Sequence, residues 1–127
     1  MSDIKVFHTK VAEIFKDSRG FLDLKFKKTS EPFDLEEAEK QSEIANELMN
    51  NEKYCVLIDT SISNITPTKE AQEYLSSLDC KIAEAIVITS LPYRILARLY
   101  VKQANNPIKI FKTREKAIKW LLKFIKK

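Results

Sequence analysis

Two short apolar runs, each ending abruptly in polar residues, constrain the fold more than any other feature of this chain. Tyr54-Cys55-Val56-Leu57-Ile58 stops at Asp59, and the stretch from Ala83, centred on Ile86-Val87-Ile88, stops at Thr89 and Ser90. Runs this short and continuous mark strands covered on both faces, which are found in parallel sheets with helices packed on either side. The segments between and after them repeat at a helical period. Strand–helix alternation with short connections argues for βαβ units and a mostly parallel sheet.

The start of the chain follows a different rule. Residues 4–16 mix β-branched and aromatic residues with charges, as one long strand or two short ones would. Asp17-Ser18-Arg19-Gly20 is a turn tetrapeptide that contains the chain's single glycine. Beyond it Leu22, Leu24 and Phe26 alternate with Asp23, Lys25 and Lys27, predicting an antiparallel hairpin with one buried and one wet face.

Four helices are expected. Asp34 caps the first, with Glu37 three residues on as in a capping box, and Leu35, Ala38, Ala45, Leu48 and Met49 share a face before a stop at Asn50-Asn51. Thr66 followed by Pro67 predicts the start of the second, with Ala71, Tyr74, Leu75 and Leu78 on its apolar side. Ser90 is expected to cap the third, turning Leu91, Ile95, Leu96 and Leu99 inward. After a short strand with an edge-like Pro107, Thr113 caps the fourth, where Ala117, Trp120, Leu121 and Phe124 pack inward and Leu122 and Ile125 are left for the outside.

A chain of 127 residues is the length of one domain, so residues 1–127 are expected to form a single α/β unit. Cys55 and Cys80 form no CxxC pair and read as small buried side chains of a reducing compartment. With no signal-peptide pattern and no apolar run of spanning length, the expected location is cytoplasmic. One glycine leaves no room for GxGxxG or P-loop cradles. The lone imidazole, His8, lies in an N-terminal strand, and the acidic residues do not cluster in metal-loop form. The residues therefore point to no catalytic centre, no cofactor and no metal.

The order hairpin, helix, strand, helix, strand, helix, strand, helix resembles the SpoIIAA-like superfamily of anti-sigma-factor antagonists and STAS domains. More closely, it is similar to small bacterial STAS-like, CRAL-TRIO-related proteins. The carrying residues are Val56-Leu57-Ile58-Asp59, Ile65-Thr66-Pro67-Thr68-Lys69-Glu70-Ala71, Ala85-Ile86-Val87-Ile88-Thr89-Ser90 and the closing Phe111 to Leu121 with Thr113, Ala117 and Trp120. This resemblance implies a non-enzymatic regulatory or protein-interaction module. In anti-sigma-factor antagonists a phosphorylatable hydroxyl begins the helix after the central strand. Thr66 and Thr68 are the nearest hydroxyls here, without the flanking Asp and Gly.

Two surfaces are candidates for recognition. Ligands of open α/β sheets gather at the carboxyl ends of parallel strands. Asp59, Thr60, Ser61, Thr66, Thr68 and Ser90 would form a polar rim there for a protein partner. Arg94, Arg98 and Lys102 recur every fourth residue on the third helix, beside its apolar face and near Tyr93 and Tyr100. Such a ridge suits an anionic lipid surface or an acidic protein, and equally a solvated face whose stems cover the core edge. Charge is polarised: residues 1–64 carry 9 Lys/Arg against 13 Asp/Glu, and residues 65–127 carry 13 against 5. The basic half includes Lys116, Lys119, Lys123, Lys126 and Lys127. Aromatics interleaved with basics in an RNA-binding pattern do not appear, so nucleic acid is disfavoured. The leading expectation is capture of a protein partner at the rim. The alternative is a small carrier or sensor of lipid or another apolar ligand, peripheral to the membrane. A homodimer through Leu122 and Ile125 stays open.

Overall fold

The computed structural model describes residues 5–104 and 106–125; Ile4, Lys126 and Lys127 lie outside them. The elements run β1 (Phe7–His8), β2 (Ala12–Lys16), β3 (Leu22–Phe26), α1 (Leu35–Leu48), β4 (Tyr54–Asp59), α2 (Lys69–Ser77), β5 (Lys81–Val87), α3 (Leu91–Gln103), β6 (Ile108–Phe111) and α4 (Arg114–Ile125). The six strands lie side by side in chain order. β1, β2 and β3 pair antiparallel, and β3 to β6 pair parallel. The expected α/β arrangement of hairpin followed by βαβαβα is therefore what the chain adopts.

Chain-order growth of the parallel strands puts α1, α2 and α3 on one face, since successive right-handed crossovers turn the same way. α4 follows the last strand and covers the opposite face. Alternation along the strands divides the core accordingly. Ile14, Leu22, Leu24, Phe26 and Val56 pack toward α1 and α2. Phe21, Leu57, Ala83, Ala85 and Val87 pack beneath Ala117 and Leu121 of α4.

Local signals explain the boundaries. Asp34 accepts a hydrogen bond from the Glu37 backbone N–H at 3.0 Å, satisfying one orphan donor of α1. Asn50 and Asn51 end that helix at φ 56° and 60°, a left-handed conformation that asparagine tolerates. Gly20 takes φ 106° in the hairpin turn, and a Cβ there would lie 3.4 Å from Ile125 Cγ2.

Several expectations are corrected. α2 starts two residues later than the Thr66-Pro67 signal predicts: Thr68 is its cap and accepts from the Ala71 N–H at 3.2 Å. The hairpin's second face is wet only in part: Asp23 is fully buried beside Arg114, while Glu13, Lys25 and Lys27 keep partial exposure. Leu35 is exposed, while Glu37 is buried and takes hydrogen bonds from the Thr9 hydroxyl and the Gln41 amide. Leu122 and Ile125 pack partly buried against the α4-side core rather than standing fully outside. The second apolar strand runs Lys81–Val87, not Ala83 to Thr89.

Candidate functional site

The largest departure from expectation is α3. Its leucines and isoleucine are not packed inside: Leu91, Ile95, Leu96 and Leu99 are 54–60% exposed, and only the remaining surface of Leu96 and Leu99 borders the space between helix and sheet. The same helix turns Tyr93, Ala97, Tyr100 and Val101 inward, each partly buried. Ser90 stands at the N-cap position but its hydroxyl makes no capping bond.

Polar tethers hold this helix in place. The Tyr93 hydroxyl donates to the Asn64 carbonyl at 2.6 Å and accepts from the Thr66 hydroxyl at 2.8 Å. Arg94 donates to the carbonyls of Ile88 and Thr89, at 3.4 and 3.2 Å. Tyr100 reaches the sheet and donates to Glu84 at 3.1 Å. Burial, together with the Glu84 charge, pushes the Tyr100 hydroxyl far above its ordinary pKa, so it remains a donor.

Between α3 and the sheet lies a chamber of about 240 Å³. Its floor is formed by Leu24, Ile58, Ile86 and Ile88 from the parallel strands, and its walls by Phe33, Ile65 and Leu75. Tyr93, Ala97, Leu99 and Tyr100 form the roof. Polar side chains interrupt the lining: Gln41, Thr60, Thr66, Gln72 and Glu84, besides the two tyrosines. Glu84 is 1% exposed and is held by Tyr100 and by Lys81 Nζ at 3.5 Å. The sequence did carry a signal for it, a lone carboxylate between Ala83 and Ala85 within the apolar run Ile82 to Ile88.

The predicted rim residues do not form one surface. Asp59 is 1% exposed and faces α4, where Arg114 donates to it at 2.8 Å and to Asp23 at 2.6 Å. Burial alone would raise the Asp59 pKa; hydrogen bonds from Ser61 and Arg114 outweigh it and hold the carboxyl below its ordinary value. Thr60 is buried, and its hydroxyl donates to the Val87 carbonyl at 2.8 Å. Ser61 and Thr66 are exposed, and Thr68 and Ser90 are half-buried. The rim thus divides into an Asp59–Arg114 clamp on one face and the chamber's edge on the other. The basic ridge divides too: Arg98 and Lys102 are exposed, whereas Arg94 is half-buried on its carbonyls. His8 is exposed on the edge strand β1. Among the described residues no group of three or more His, Cys, Asp or Glu is placed to hold a metal ion, and no helix is long and apolar enough to cross a membrane.

This architecture is that of a SpoIIAA-like α/β protein. A similar solved structure is described as an uncharacterized protein of the DUF3478 family with a SpoIIAA-like fold, from Shewanella loihica PV-4. The two share a TM-score of 0.61 and 14% identity over 94% of this chain and 92% of that one, a likeness of fold. Residues 15–125 match the family described as "Domain of unknown function (DUF7793)", and the chain belongs to that family. No curated protein matches the chain.

Proposed function

We propose that residues 1–127 form a single, non-enzymatic binding domain that holds an apolar ligand in the chamber beneath α3 and works at a negatively charged membrane surface. The chamber carries this reading. Helices on a sheet normally close over the strands with their largest aliphatic side chains, because burial of each contributes about 1.5–3 kcal/mol. α3 instead leaves its four largest aliphatics more than half exposed, with Leu96 and Leu99 only bordering the chamber, and bridges a gap on tyrosine hydroxyls. A volume of about 240 Å³ lined mainly by apolar side chains suits a small apolar molecule.

The outward stripe supports the membrane half of the reading. Leu91, Ile95 and Leu99 recur every fourth residue, flanked by Arg98 and Lys102 on a helix with no acidic residue. An exposed aliphatic stripe edged by cations matches an anionic lipid interface. Capture of a protein at the polar rim has less support, since Asp59 and Thr60 are buried and already bonded.

Toluene, which has no polar head, tests the chamber itself. It is expected to raise the Tm of the full chain in a concentration-dependent manner. Ala97→Phe, which places a ring in the chamber, should remove that response while the variant stays folded. An unchanged Tm at saturating toluene, or an undiminished response in Ala97→Phe, contradicts the proposal.

A further inference from the structure

We infer that the chamber selects a neutral, hydroxyl-bearing apolar molecule, a small aliphatic alcohol in chemical class, and that Glu84 is the residue that selects it. The inference rests on the chamber reading above and deepens it by naming the head group. Among the described residues lining the chamber, Glu84 is the one with an ionisable carboxyl. It stands on the same side of β5 as Ile86 and Ile88, facing the space under α3.

A buried carboxylate that lines an apolar chamber favours some head groups and opposes others. Its two oxygens offer about four acceptor sites and no donor. The side chains of Tyr100 and Lys81 supply two donors. Acceptor capacity is left for a hydroxyl from the ligand, which would donate beside Tyr100. A ligand carboxylate would bring a second negative charge into the same low-dielectric space and lose its hydration with no cationic side chain among the described lining residues to offset it. A ligand ammonium would approach a carboxylate that Lys81 already pairs, placing two cations together, while giving up its own strong hydration. The neutral hydroxyl donates without adding charge. Tyr100 meanwhile links the same carboxylate to α3, so the head group sits where the roof is fastened to the floor.

Isothermal titration of the full chain with 1-octanol, octanoate and octylammonium tests the selection, with chain length held constant. Octanol should bind best, with octanoate and octylammonium each weaker by roughly tenfold or more. Glu84→Gln should narrow the gap between octanol and octanoate, because an amide can donate to a carboxylate. Tyr100→Phe, which leaves the carboxylate in place, should keep octanoate excluded and hold octanol binding at or above the wild-type level. Equal binding of octanol and octanoate, or a preference for octylammonium, overturns the inference. If toluene stabilises the protein but the three heads bind alike, the selection falls and the chamber reading stands. If neither toluene nor octanol binds, both fall.

Discussion

Arg114 joins residues that are far apart in the chain. Its guanidinium donates to Asp23 and Asp59, both almost fully buried, and ties β3 and β4 to the start of α4. Sequence separations of 91 and 55 residues make the pairing invisible to any local reading. That is why Asp23 reads as a wet-face residue and Asp59 as a rim group. Because the folded Asp59 carboxyl titrates below its ordinary value, its contribution to stability is present above the unfolded pKa of about 3.9 and is lost as pH falls through the folded one. Asp59→Asn should therefore lower stability at pH 7 by about 1–3 kcal/mol. The gap from wild type should begin to narrow below about pH 4, where the unfolded carboxyl protonates, and go on narrowing as pH falls through the lower folded value. Urea unfolding of both proteins from pH 7 down to pH 3 reads this directly, and a gap that widens in acid contradicts the assignment.

At the scale of elements, β4 and α3 show what local pattern reveals and what it does not. Tyr54 to Ile58 is apolar throughout because α1 and α2 cover one face and α4 the other, and that double cover is written into the strand itself. In α3 the aliphatic spacing is equally regular, but periodicity fixes only that a face exists, not which way it turns. The direction is set by Tyr93 and Tyr100, whose hydroxyl partners lie on the α2-side loop and in β5. The start of α2 was shifted for a similar reason. Thr66 is a credible cap in sequence, yet its hydroxyl is used by Tyr93, and Thr68 caps in its place.

An α3 with its aliphatics outside should bring the protein to an anionic bilayer. Flotation at low salt with phosphatidylcholine vesicles containing phosphatidylglycerol should carry the wild type upward. Pure phosphatidylcholine should carry much less. Arg98→Glu with Lys102→Glu, and separately Leu91→Ser with Ile95→Ser, should each leave the protein at the bottom. Ala97→Phe should still float, because its change is confined to the chamber. Wild type that stays down, or a charge reversal that makes no difference, argues against membrane docking.

At the scale of the whole molecule, the two sheet faces have different roles. α4 closes its side tightly, with Ala117 and Leu121 fully buried over small residues of β5 and the Arg114 clamp at the strand ends. The other face is closed by α1 and α2 over β2 to β4 and left hollow under α3. The order of elements was legible because alternation and capping are local. The hollow was not, because it depends on how far α3 stands from the sheet, which no single segment encodes. The charge asymmetry agrees with this division, since Arg98 and Lys102 on the outward face of α3 belong to the basic half of the chain.

The central claim is that the hollow under α3 is a ligand chamber, and intermolecular NOE spectroscopy of the methyl-labelled protein with toluene tests it most directly. Cross-peaks from toluene to the methyls of Leu24, Ile86 and Ile88 are expected, with none to Ile44 or Ile14 in the closed core. Cross-peaks confined to Leu91 and Ile95 on the outer stripe, or none at saturating toluene, would contradict the account.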